Sequence, residues 1–140
     1  MYQDLLLATD GSDGARRATD HALALAGRLD ATLHVLSVAE EGPHSSEKRD
    51  KMRSDPEGEA IDVVETVERT ATAEGVDVRT TVRHGVPQEQ ILEAATASGA
   101  DLIVVGTVGR SGLDQLIVGS VAEEVVRNAP VPVVTVREGT

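Results

Sequence analysis

The chain of 140 residues has no cysteine, no phenylalanine and no tryptophan, and Tyr2 is its single aromatic residue. Without cysteine, neither disulfides nor thiolate chemistry is available. Without aromatic rings there are no platforms on which unpaired bases can stack, which removes a common basis for binding single-stranded nucleic acid. Positive charge is scarce too. There are 13 Lys and Arg against 24 Asp and Glu, a formal net charge of −11, and the only lysines are Lys48 and Lys51. A chain this acidic repels nucleic-acid phosphates and anionic membranes. Its Lys-poor, acidic character fits a solvent of high salt. No apolar run approaches the roughly 18 residues of a membrane-spanning helix. The N-terminal stretch MYQDLLLATDGSDG lacks the basic region and long apolar segment of a signal peptide. The expectation is a cytoplasmic protein of one domain, residues 1–140, with no nucleic-acid and no membrane partner.

What is present is aliphatic and periodic. Leu5 to Thr9 reads as a first buried strand, and Asp10-Gly11-Ser12-Asp13-Gly14 as a turn. Ala15 to Leu29 has helical spacing, with Ala15, Ala18, Ala22, Leu25, Ala26 and Leu29 on one face. Thr32–Val38 is a second strand. From Ala39 to Asp55 the sequence is charged, with Gly, Pro and Ser and little that is apolar beyond Met52, which marks a mobile insertion or lid. Helical spacing returns from Glu57 to Ala73, with Ala60, Val63, Val64, Val67 and Ala71 inward and Gly75 just past the end. Val76–Val82 alternates as a half-exposed edge strand does. His84-Gly85-Val86-Pro87 is the next turn, Pro87 opens a helix whose inner face holds Ile91, Leu92, Ala94 and Ala95, and Gly99 closes it. Val131–Val136 is the last strand, and Pro132 there suits an edge. The sum is an α/β, doubly wound parallel sheet of five strands with helices on both faces. In such sheets ligands bind outside the carboxyl ends of strands, where the strand order reverses.

The most informative stretch is Asp101–Glu124. An apolar run, Leu102 to Val105, stops at Gly106, and Gly109 and Gly112 follow at three-residue intervals. Nine residues separate Gly109 from Gly119-Ser120, where helical spacing resumes and S-x-x-E at Ser120–Glu123 fits a capping box. Missing side chains let backbone N–H groups approach an anion, and the following helix adds unpaired N–H groups with a positive dipole end. Ser111 and Ser120 can donate hydroxyls to phosphate, and Arg110 a charge-assisted hydrogen bond. Asp10 repels phosphate, but can hold a Mg²⁺ that bridges to it. Plainer roles compete. Asp10 can cap the turn into the first helix, Ser120 can simply cap its own helix, and Arg110 can be a solvated loop charge. Neither GxxxxGK[ST] nor GxGxxG occurs. His21, His34, His44 and His84 lack metal-ligand spacing, with His34 reading as a core-edge histidine, and no nucleophilic Ser/His/Asp arrangement is evident.

The spacing Gly106-x2-Gly109-x9-Gly119-Ser120, the opening LLLATDGSDGARRA and the ending GSVAEEVVRNAPVPVVTVR together resemble the ATP-binding type of the universal stress protein family. The resemblance spans nearly the whole chain outside 39–55. It implies a Rossmann-like sheet of strand order 3-2-1-4-5, a homodimer made by pairing last strands (Val131, Val133, Val134, Val136), and ATP, with or without Mg, between strands one and four. It implies a nucleotide contact for Ala8, with Thr9 and Asp10 on the ribose and phosphate side, Val38 near the adenine, and Val105 and Gly106 approaching the base through backbone. It also implies that Gly109, Arg110 and Ser111 line the phosphate loop, while Gly119, Ser120 and Val121 cradle the terminal phosphates. Val108 stands where many members carry a polar residue. The family's role is stress-response regulation more than catalysis. Two alternatives stay open: a slow ATPase or nucleotide hydrolase on the same site, and a dimerisation or adaptor module without nucleotide.

Overall fold

The computed structural model describes residues 2–40, 55–107 and 120–137. The chain runs β1 (Asp4–Ala8), α1 (Asp13–Leu29), β2 (Thr32–Glu40), α2 (Pro56–Ala73), β3 (Val78–Gly85), α3 (Pro87–Ser98), β4 (Leu102–Gly106), α4 (Ser120–Asn128) and β5 (Val133–Val136). The strands form one sheet of order β3-β2-β1-β4-β5. Every pairing is parallel, with Leu6 opposite His34 on one side and Ile103 on the other. The expected Rossmann-like architecture and strand order are therefore present. No helix among the described residues is long and apolar enough to cross a membrane.

The sheet separates two apolar layers. Leu5, Leu7, Leu33, Val35 and Val104 face α1 and α2, meeting Ala18, Ala22, Val64 and Val67. Leu6, Leu36, Ile103 and Val105 face the other way, onto Ile91 and Ala95 of α3 and Val125 of α4. The central strand β1 is sealed on both faces: Leu5, Leu6 and Leu7 are at most 2% exposed. Each such burial stabilises by roughly 1.5–3 kcal/mol, so three consecutive leucines fix the middle of the sheet without any aromatic side chain.

Local chemistry sets the helix ends. Ser12 N-caps α1, its hydroxyl accepting the Ala15 amide at 3.3 Å, and Asp30 closes it in the left-handed region at φ 54°. Pro56 and Pro87 open α2 and α3, where a missing N–H costs nothing. At the far end of the sheet the Asp101 carboxylate accepts the Gln3 amide at 3.0 Å, latching the start of β1 to the start of β4.

Several boundaries depart from expectation. Helix α1 starts at Asp13 rather than Ala15, because Ser12 caps it. Leu29 is 42% exposed at the last position of the helix, whereas Leu23 is 5% exposed and supplies the larger core side chain. Ala39 and Glu40, expected in the insertion, belong to β2. His84 and Gly85, expected in a turn, belong to β3. The two strands lengthen each other through the pairs Ala39↔His84 and Glu40↔Gly85, and ladder formation overrides the turn tendency of glycine. β3 begins at Val78 and β5 at Val133, two residues later than expected in each case. Asp55 precedes α2 as its N-cap, and the remainder of the expected insertion, 41–54, lies outside the described residues.

Candidate functional site

The four helices of the described residues start at the carboxyl edge of the sheet, as the right-handed β-α-β crossover requires. Strand order reverses between β1 and β4, so their carboxyl ends part and leave a crevice. A cavity of about 370 Å³ sits there. Its walls come from the ends of β1, β2 and β4, the first turn of α4, the start of α2, and Pro87 and Ile91 of α3. That volume falls within the roughly 300–1,000 Å³ range of small-molecule sites.

Eight of the residues singled out from the sequence line this one cavity: Ala8, Thr9, Asp10, Val38, Val105, Gly106, Ser120 and Val121. They come from positions more than a hundred residues apart in the chain. The other four, Gly109, Arg110, Ser111 and Gly119, lie outside the described residues, as does Val108.

The β1 end is held by its own polar groups. Thr9 Oγ1 accepts the Gly11 amide at 3.1 Å, and Asp10 Oδ1 accepts the Ser12 amide at 2.9 Å. The second bond is an Asx turn, so the turn-capping role weighed for Asp10 is real. It engages one carboxylate oxygen, Oδ1. Gly11 has φ +75°, and a Cβ there would lie 2.6 Å from Val63 Cγ2, so the loop carrying Asp10 is seated directly on α2.

The β4 end is shaped by a close approach. A Cβ on Gly106 would meet the Gly14 carbonyl oxygen at 3.2 Å and the Ala15 Cα at 3.6 Å. The first turn of α1 thus rests on Gly106, which has a packing reason to be glycine beside any ligand contact. Thr107 continues the pairing, its amide donating to the Val136 carbonyl at 3.0 Å, and its side chain is buried at the cavity wall. Ser120, Val121 and Ala122 bring the opening turn of α4 to the same wall. Within this helix Glu123 pairs with Arg127 at 2.9 Å.

Charge around the cavity is one-sided. Asp10, Glu40 and Glu59 line it, and no described lining residue is Lys or Arg. On the described walls, attraction for an anion comes from backbone amides and the positive ends of helix dipoles, that of α4 among them. No group of three or more His, Cys, Asp or Glu capable of holding a metal occurs among the described residues. Asp10 can contribute to a cation there only as one ligand among others, with phosphate oxygens supplying the rest. His34 lies at the opposite end of the sheet from the cavity, with Nε2 2.9 Å from Asp4 Oδ1, a partly buried polar pair at the core edge.

Sequence reasoning missed Ser37, Glu40, Pro56, Glu59, Ala60, Pro87, Ile91 and Thr107 of the cavity wall. The signal for Pro56 and Pro87 was available. A proline at the first turn after a parallel strand sits at the carboxyl edge, where the crevice must be. Ser37 and Glu59 carried no such mark.

The model of the universal stress protein family matches residues 1–137 of the chain. A universal stress protein of Methanocaldococcus jannaschii is 34% identical over 145 residues, an alignment covering 99% of this chain and 84% of that protein. Among solved structures, the universal stress protein UspA from Lactobacillus plantarum superposes with a TM-score of 0.83 at 26% identity, covering 97% of this chain and 98% of its own. A universal stress protein crystallised in complex with cAMP superposes with a TM-score of 0.76 at 29% identity, covering 99% of each chain.

Proposed function

Because the chain belongs to the universal stress protein family, we propose that it is a cytoplasmic, homodimeric regulatory protein that binds ATP at the crevice between β1 and β4. The observation that carries this reading is the single cavity that gathers the β1 end, the β4 end and the first turn of α4. A relative of the same fold is seen with a cyclic adenine nucleotide. The apolar wall of Leu36, Val38, Val105 and Ile91 suits a flat base. The α4 amides suit phosphate. The acidic β1 side does not, so the phosphates run toward α4 and the glycine stretch 106–119. Gly109 and Gly119 then serve as points where the backbone must come close to the polyanion. Mg²⁺, bridged by Asp10 and phosphate oxygens, offsets the local excess of negative charge. The role is binding rather than turnover: ATP ties β1, β4 and α4 together and so alters the surface around β5, where a second copy pairs.

Calorimetric titration with MgATP tests this. Binding is expected for the native chain, with at least tenfold weakening in Gly109→Val and Gly119→Val variants whose circular dichroism is unchanged. Absence of heat at millimolar ligand, or unaltered binding in both variants, would end the proposal.

A further inference from the structure

The cavity has two unlike halves. Ala8, Leu36 and Val38 belong to the layer facing α3 and α4. Side chains alternate along a strand, so Thr9 and Ser37, one residue beyond Ala8 and Leu36, face α1 and α2. The Thr9 amide donates to the Leu36 carbonyl at 3.0 Å, which carries the register on and sets Ser37 beside Thr9. On this side the cavity is bordered by Ser37, Asp10 and Glu59.

Ser37 is 3% exposed, and its hydroxyl has no hydrogen-bond partner among the described residues. The only unpartnered side-chain polar atom that is fully sealed among those residues is Arg83 Nε, so the Ser37 hydroxyl opens into the cavity it lines. Glu59 reaches the same cavity from α2. It lies one helical turn before Val63, on the same face of α2, and Val63 is the side chain seated on Gly11 beside Asp10.

We propose that Ser37 and Glu59 form a subsite for the 2′-hydroxyl of a ribose, which both side chains bond and through which the protein selects ribonucleotides over 2′-deoxyribonucleotides. The inference rests on the nucleotide reading above. A hydroxyl that opens into the cavity can accept a hydrogen bond from a ligand O–H or donate one to its oxygen. Carboxylates repel phosphate but accept hydrogen bonds from sugar hydroxyls, the use dinucleotide folds make of an acidic residue. Each carboxylate has about four acceptor sites, so an existing partner does not exhaust it. A divalent cation is the rival occupant. It is disfavoured because no metal-holding group of three acidic or imidazole side chains exists among the described residues.

The test compares ATP with 2′-deoxy-ATP by calorimetry, with and without Mg²⁺, on the native chain and on Ser37→Ala and Glu59→Gln. The native chain is expected to prefer ATP by about tenfold, the scale of one hydrogen bond to a charged acceptor. Each variant should lose ATP affinity and keep its affinity for 2′-deoxy-ATP, which also shows that it is folded. Equal affinity of the native chain for the two ligands overturns the inference while leaving nucleotide binding intact. So does a parallel loss of both ligands in the variants, or a preference that disappears without Mg²⁺. Binding of neither ligand removes this inference together with the nucleotide reading.

Discussion

Replacing Gly11 with alanine should be among the most damaging changes near the crevice, and the damage should be partly repairable at a distance in sequence. Two penalties combine. An alanine at φ +75° is strained by about 1–2 kcal/mol. Its Cβ would also stand 2.6 Å from Val63 Cγ2, a contact that forces α2 or the loop to move, and overpacking of this kind costs about 1–3 kcal/mol. Gly11→Ala should therefore lose about 2–5 kcal/mol. Val63→Ala alone removes a half-buried pair of methyl groups and should cost about 1 kcal/mol. In the double variant the clash has no partner and only the backbone strain and the lost burial remain. The two changes should then fall short of additivity by about 1–3 kcal/mol. Urea unfolding of the four proteins measures this cycle. Additivity within about 0.5 kcal/mol would show that the loop is not seated on α2.

Gly106→Ala should lower stability by about 1–3 kcal/mol, because its Cβ meets the Gly14 carbonyl oxygen at 3.2 Å and α1 must yield. A melting temperature equal to that of the native chain would contradict the close approach. With a net charge of −11 the folded chain repels itself, so added KCl should raise the urea midpoint, whereas a midpoint indifferent to salt would remove the argument from charge. β5 is a short sheet edge, and edges of this kind need covering. Sedimentation at micromolar concentration should give a dimer, shifted toward monomer by Thr135→Lys, which places like charges at the joint. A native monomer would refute pairing through this strand.

The order of elements was legible because each carries its own period. Leu5–Leu7 and Leu102–Val105 are continuous apolar runs of buried parallel strands, and the alanine stripe of α1 repeats at helical spacing. Element ends were less legible where pairing decides them. Nothing local to Ala39-Glu40 or His84-Gly85 says strand; the two segments extend because each supplies the other's hydrogen bonds. Leu29 has the helical angle of a core residue, yet it sits at the last position of α1 and stays exposed. The site divides in the same way. Residues at a strand end that breaks into glycine, such as Thr9, Asp10 and Gly106, announce themselves. Ser37 sits inside an ordinary strand and Glu59 inside an ordinary helix, and the packing of α2 on the sheet, with Val63 docked on Gly11, brings that helix to the crevice. Such tertiary placement leaves no periodic trace.

The most direct test of the central claim is an amide NMR titration of the native chain with MgATP. If the nucleotide occupies the crevice, the signals of Thr9, Asp10, Gly106, Thr107, Ser120 and Val121 should move together and saturate. Those of Gln3, Thr32 and Asp101, at the opposite edge of the sheet, should stay in place. No change at millimolar ATP, or changes confined to that opposite edge, would contradict the account.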